Sequence, residues 1–262
     1  MLYTFPIAIL FDIAFPILLA FWFVRRHAGS WKIIAVGALA FAGSQVLHIP
    51  FLNWLTSQFT QGALPAPPPA YRLVFNATLL GLLAGLFEET ARIIAYWALG
   101  HSARTWRAGV SLGIGHGGLE SAALVGLTAL STFIALVIYT LHPSTFDALT
   151  GSRLQAALAQ PWHIPLAGAV ERASALALQI TLSVMVLQAF VRRNALWYLA
   201  AVLWHALVDF WAVYLSGIGW SPWPIEGIIA IFGLSSLAIL LALIRAEKRC
   251  ALSSEPPEAD NA

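Results

Sequence analysis

Long unbroken runs of apolar residues alternate along the chain with short segments that hold most of its turn-forming residues. Seven runs stand out, roughly Phe5 to Val24, Ile33 to Phe51, Leu73 to Leu99, Ala108 to Tyr139, Ile164 to Val191, Leu196 to Leu215 and Pro224 to Ile244. A helix needs about 20 residues to cross the hydrocarbon of a bilayer, so each run is long enough to span. The third, fourth and fifth are longer and are expected to tilt or to extend past the hydrocarbon. The breaks carry turn chemistry, with Pro65, Pro67, Pro68 and Pro69 in one and Pro143 and Pro161 in another. The pattern predicts an all-α fold, a polytopic transmembrane helix bundle of about seven spanning helices. Residues 1–250 form a single transmembrane helical domain, and the acidic, Pro-containing residues 251–262 a disordered cytoplasmic tail. The first run has no basic leader or small-residue cleavage site and carries Asp12, which reads as a retained helix.

Composition agrees. The chain is 60% hydrophobic and 10% charged, whereas soluble domains average about 25% charged residues. There is too little polar surface to shield such a core from water, so the outer surface faces lipid. The net charge of +2 gives no sign of a nucleic-acid partner, and Cys250 as the lone cysteine excludes disulfides and cysteine-rich metal sites within one chain.

Lysine and arginine set the expected orientation. Ten of the fourteen fall in four groups: Arg25, Arg26 and Lys32; Arg104 and Arg107; Arg192 and Arg193; Arg245, Lys248 and Arg249. In a seven-helix bundle all four groups lie on one side, opposite Arg72 and Arg153. This predicts a multi-pass protein of the cell membrane, N-terminus outside and C-terminus cytoplasmic.

Ionisable residues inside spanning helices cost several kcal/mol unless paired or hydrated, so each asks for a reason. They cluster here. The third run has Glu88, Glu89 and Arg92 in FEETAR, the fourth His116 and Glu120 in GIGHGGLES, and the sixth His205 and Asp209 in WHALVD. Glu88 and Arg92, His116 and Glu120, and His205 and Asp209 are each four apart and share a helix face. Arg92 can neutralise one of the two adjacent glutamates, which point about 100° apart and are expected to do different jobs. Counted from the cytoplasmic ends, the glutamate pair lies roughly 17 Å in, His116 about 14 Å, Glu120 about 20 Å, His205 about 15 Å and Asp209 about 21 Å. The three helices therefore place these groups in one layer. Glu171, roughly 30 Å in, falls outside it. Gly81 and Gly85, and the glycines around His116, allow close approach of helices.

Plainer readings stand beside this. His48 suits an interhelical contact, Asp12 a snorkelling or paired position near a helix end, and Glu171 with Arg172 an ion pair at the outer interface. The whole cluster could be a buried salt-bridge network. Arg92 alone cannot balance four carboxylates, however, so protons, water or a metal must complete the site.

E-E-x-x-R on one helix, H-x-x-x-E on the next and H-x-x-x-D on a later one resembles the pattern of glutamic-type intramembrane proteases, the clan of the CAAX prenyl proteases, the bacteriocin-processing enzymes and PrsW. Within it, FEETAR, GIGHGGLES, ERASAL and WHALVD are most similar to the YhfC family, over roughly Leu73 to Tyr214. The resemblance implies peptide-bond hydrolysis inside the membrane by water activated on glutamate and histidine, and by itself no substrate; the expected partners are membrane lipid and a transmembrane or lipid-associated peptide. The resemblance assigns Glu88, Glu89, His116 and His205 to catalysis. Arg92, Glu120 and Asp209 support them, with Asp209 standing where CAAX proteases often have Asn. Glu171, in ERASAL, is a further candidate.

Amide hydrolysis needs a nucleophilic water, a base and donors for the developing oxyanion. Glu88 or Glu89 suits the base, His116 the orientation of the water, and His205, tuned by Asp209, donation to the oxyanion. No cofactor is required by this scheme. A divalent metal such as zinc could still bind, with His116, His205, Glu89 and Glu120 as its ligands. The reading from a different class is a proton-coupled or cation transporter built on the same layer.

Overall fold

In the computed structural model, which describes residues 2–253, the expected bundle is present: the fold is all-helical, with seven stretches long and apolar enough to cross a membrane. The helices are α1 (Thr4–His27), α2 (Trp31–Thr60), α3 (Arg72–Leu99), α4 (Trp106–Glu120), α5 (Leu127–Leu141), α6 (Ala148–Leu158), α7 (Ile164–Val191), α8 (Leu196–Gly217) and α9 (Pro222–Ser253). Their starts are built locally. Ser30 caps α2 by accepting from the Ile33 amide, and Thr105 caps α4 by accepting from Ala108. α1 ends on Ala28, and α3 at Gly100, both with positive φ.

Three boundaries differ from the sequence reading. α2 continues through Pro50 to Thr60, nine residues past the end of its apolar run. The fourth span is two α-helices joined by a π-helical turn at Ser121–Gly126, immediately after Glu120. The hydroxyl of Ser121 in that turn donates to the carbonyl of Asp12, 2.8 Å away, which fastens the widened turn to α1. The connection from α5 to α7 holds α6, capped by Asp147 through the Thr150 amide. At the far end α9 runs on to Ser253, so the remainder of the expected tail, 254–262, lies outside the described residues.

The polarity is that of a membrane protein. Outward faces carry apolar stripes, such as Leu199, Leu203 and Leu207 on α8 and Ile231, Leu234 and Leu241 on α9. The interior holds Glu88, Glu89, Arg92, His116, Gln179, Ser183 and His205. α7 is the central helix, packed by α1, α3, α4, α8 and α9.

Glycine permits the closest of these contacts. A β-carbon at Gly81 would stand 2.5 Å from the carbonyl oxygen of Ala206, and one at Gly85 2.8 Å from that of Val202, so α3 and α8 touch backbone to backbone. Gly113 lies in the same way against Ile180 of α7, and Gly37 and Gly115 join α2 to α4. These contacts fix the depth at which the polar side chains of α3, α4, α7 and α8 face one another.

Candidate active site

α3 contributes two carboxylates that point apart, as adjacent helical positions must. Glu88 turns toward α2 and α4. Its Oε2 lies 2.9 Å from Nε2 of His116, and its Oε1 accepts from the side-chain amide of Gln45 at 3.1 Å. Glu89 turns toward α7 and α8. Its Oε1 takes the guanidinium of Arg92, one turn on, and lies 2.9 Å from Nδ1 of His205. The other nitrogen of that ring, Nε2, is 4.0 Å from Oε2 of Glu88 and 3.6 Å from Oδ2 of Asp209. Both imidazoles therefore present Nε2 toward the same carboxylate. Glu88, Glu89, Arg92, His116 and His205 are all buried.

Arg92 is saturated with partners. Besides Glu89 it donates from Nε to the Ser183 hydroxyl at 3.1 Å and from its second terminal nitrogen to the carbonyl oxygen of the Gln179 side chain. The amide nitrogen of Gln179 in turn donates to Oε2 of Glu88 at 3.3 Å and to Oε2 of Glu120. One glutamine thus ties the Arg92 cation to the carboxylates of Glu88 and Glu120. Glu120 is engaged on its other oxygen by Arg172 at 2.9 Å, and Arg172 also pairs with Glu171.

Side-chain exposure falls steadily inward, from 35% at Asp209 through 16% at Glu120 and 8% at Glu88 to nothing at Glu89. The outer end of this gradient opens into a cavity of about 340 Å³ between α7, α8 and α9, lined in part by Glu120, Gln179 and Asp209. Among the described residues, Nδ1 of His116 and Oε2 of Glu89 are buried without a hydrogen-bond partner. The edge of the His116 ring region is closed by Phe41, 5.2 Å away centroid to centroid.

The expected residues thus come together as one cluster, with Glu120 and Asp209 toward its exposed edge. Glu171 is linked to it through Arg172. α3 and α4 meet through side chains rather than by close backbone packing, with α2 and α7 between them. His48 makes an interhelical contact by stacking on Phe87 at 5.1 Å. Asp12 does not snorkel. It is 2% exposed because α4, α5 and α7 close over that part of α1.

Gln45, Gln179 and Ser183 were absent from the sequence reading. A signal for two of them exists: Arg172, Gln179 and Ser183 follow one another by seven and four residues, which puts three polar groups on one face of an otherwise apolar helix.

A profile of the YhfC intramembrane metalloprotease family matches residues 11–230. The chain is 32% identical over 239 residues to the membrane protein YhfC of Bacillus subtilis (strain 168), a match covering 85% of this chain and 88% of that protein. No solved structure matches.

Proposed function

The chain belongs to the family of YhfC intramembrane metalloproteases, and on that premise we propose that it hydrolyses a peptide bond of a membrane-embedded protein or peptide with a water activated between Glu88, His116 and His205. The observation that carries this reading is the carboxylate of Glu88 facing Nε2 of both histidines inside the bundle, 2.9 and 4.0 Å away. Glu88 is the better placed base of the adjacent pair, because Glu89 is committed to Arg92 and to Nδ1 of His205.

The family name implies a metal, and the donor types suit one. Two imidazole nitrogens and a carboxylate are a common set for a divalent ion such as zinc. Among the described residues no three His, Cys, Asp or Glu side chains already stand in ion-holding geometry. Even so, His205 gives its Nδ1–H to the Glu89 carboxylate, and metal-bound histidines are commonly held and made more basic by a carboxylate on their other ring nitrogen in this way. His116, His205 and Glu88 are the residues that would hold the ion: the Glu89 and Glu120 of the sequence reading are paired with Arg92 and Arg172, whereas Glu88 faces the two imidazoles. When bound, the ion supplies Lewis-acid polarisation and a more acidic water.

The remaining roles belong to the chain. Glu89 accepts from Nδ1–H of His205, which leaves Nε2 bare in the neutral ring and a donor once the ring takes a proton. Nε2 of His205 can thus either serve as a ligand or, where no ion is bound and the ring has taken a proton, donate to the oxyanion beside Asp209. Without an ion, His116 holds Glu88 toward the water, and Glu88 takes the water's proton. Gln179 and Gln45 keep the Glu88 carboxylate from turning away.

Purified protein is expected to cleave members of a transmembrane peptide library, and His116→Ala and His205→Ala to abolish that cleavage. Equilibrium dialysis against zinc is expected to find about one ion per chain, lost in both histidine variants and bound about 10–100-fold more weakly by Glu89→Gln. If both histidine variants hold zinc as the parent does, the ion does not sit here. If no peptide is cleaved and reconstituted vesicles move protons or cations, a transporter replaces this reading.

From the distribution of basic residues we infer an N-terminus outside and a C-terminus in the cytoplasm. Reporter fusions after Arg26, Arg107, Arg193 and Lys248 are expected to report cytoplasm, and one loop found outside breaks the assignment.

A further inference from the structure

The cavity between α7, α8 and α9 has a composition that the proposed hydrolysis does not require. It extends from the α8–α9 turn at Trp220 and Pro222 inward to Glu120, Gln179 and Asp209. Its walls are partly aliphatic, with Leu178, Val208, Ala212, Ile225 and Ile229. Four carboxylates also line it, Glu120, Glu171, Asp209 and Glu226, against a single basic side chain, Arg172. That guanidinium is already taken up by Glu120 and Glu171.

Glu226 is the telling residue. It sits one turn inside α9 and is 8% exposed. Among the described residues its Oε2 is buried without a hydrogen-bond partner and its carboxylate joins no ion pair. It lines the cavity together with Glu171 and Arg172, within electrostatic reach of both. A carboxylate withdrawn from water with a free lone pair is costly unless a donor or a cation arrives to meet it.

We propose that this cavity is a substrate subsite for one basic side chain, lysine or arginine, of the peptide being cleaved. The proposal rests on the reading of the cluster as a peptidase. The aliphatic walls suit the methylene stem of such a residue, and Glu226 at one end and Asp209 at the other suit its cationic head at different reaches. A small inorganic ion fits less well. The carboxylates are strung along the cavity rather than gathered round a point, and among the described residues no three acidic or histidine groups stand close enough to hold one. Because Glu120 and Asp209 belong also to the edge of the catalytic cluster, a basic residue seated here would bring the neighbouring peptide bond toward Glu88.

The test is a binding measurement on the Glu88→Gln protein in detergent, which leaves cleavage out of the readout. The probes are fluorescent apolar transmembrane peptides in which a single lysine, or norleucine as its uncharged isostere, is walked along the half of the peptide nearest the α8–α9 turn. At one or two positions lysine is expected to bind about tenfold more tightly than norleucine by anisotropy. Adding Glu226→Gln should remove that difference and leave the norleucine affinity unchanged. Equal affinity for lysine and norleucine at every position overturns the subsite before any residue of the cavity is changed. A lysine preference that persists both in Glu226→Gln and in Asp209→Asn/Glu226→Gln also overturns it, because neither end of the cavity then carries a carboxylate for the cation. Cleavage by the parent protein is scored separately: a lysine preference without any cleavage supports the subsite and removes the peptidase reading.

Discussion

Glu88→Gln is expected to lower kcat on a cleaved transmembrane peptide by about 10²–10⁴-fold while leaving peptide affinity within about twofold. The substitution keeps the size of the side chain and can keep its contact with His116. What it removes is the ability to take a proton, and the negative charge that faces both imidazole rings. A group used only in the transition state shows its loss in kcat rather than in binding. Glu89→Gln should behave differently. The oxygen that Arg92 and Nδ1 of His205 share then belongs to a neutral amide, which still accepts but no longer supports a positive charge on the ring, a fault in the histidine that spares the base. Cleavage rates and peptide affinities of the two variants, measured on the same preparation, check the assignment. Parent-like turnover in Glu88→Gln would remove this carboxylate from the chemistry.

The largest effect on stability is expected from Arg92→Met. Arg92 is fully buried, and its three partners, Glu89, Gln179 and Ser183, are buried as well. Methionine fills much of the same volume but leaves the Glu89 carboxylate without its counter-charge and Gln179 without its donor. Removing one member of a buried ion pair costs about 3–5 kcal/mol. Glu89→Gln/Arg92→Met removes both charges together and should recover most of that loss, because the penalty belongs to the stranded charge more than to the missing bond. Unfolding of the three proteins in one detergent reads the difference directly. A single variant that loses less than about 1 kcal/mol would mean that water reaches Glu89.

Much of this arrangement was legible in the sequence because a bilayer makes ionisable residues conspicuous. Glu88, Glu89, His116 and His205 stood out against apolar neighbours, and a common depth tied three helices together before any contact was known. The pairing of Arg92 with one glutamate followed from helical spacing. Which glutamate faces the histidines did not, because it depends on how far α3 is rotated against α8, and Gly81 and Gly85 set that rotation through backbone contact. Gln179 and Gln45 escaped notice because an uncharged amide is not costly enough at membrane depth to demand an explanation, although Gln179 holds more of the polar cluster together than any other uncharged side chain. The π-helical turn after Glu120 was invisible for a different reason: the run of apolar residues continues through it unbroken, and hydropathy does not register one extra residue in a turn.

The polar interior also sets a schedule for making the protein. When α3 leaves the ribosome it carries Glu88, Glu89 and Arg92, and a charged residue at the centre of a lone helix opposes insertion by about 2.5–3.5 kcal/mol. Arg92 can offset Glu89 at once, since both lie on the same helix. Gln45 of α2, already synthesised, can meet Glu88. His116 follows Glu88 by 28 residues, but two partners come much later: Gln179 follows Arg92 by 87 residues, and His205 follows Glu89 by 116. For the time it takes to translate that stretch, α3 has no complete set of partners and belongs neither in lipid nor in water. It has to be held at the edge of the membrane, against α2 or the insertion machinery, until α7 and α8 arrive.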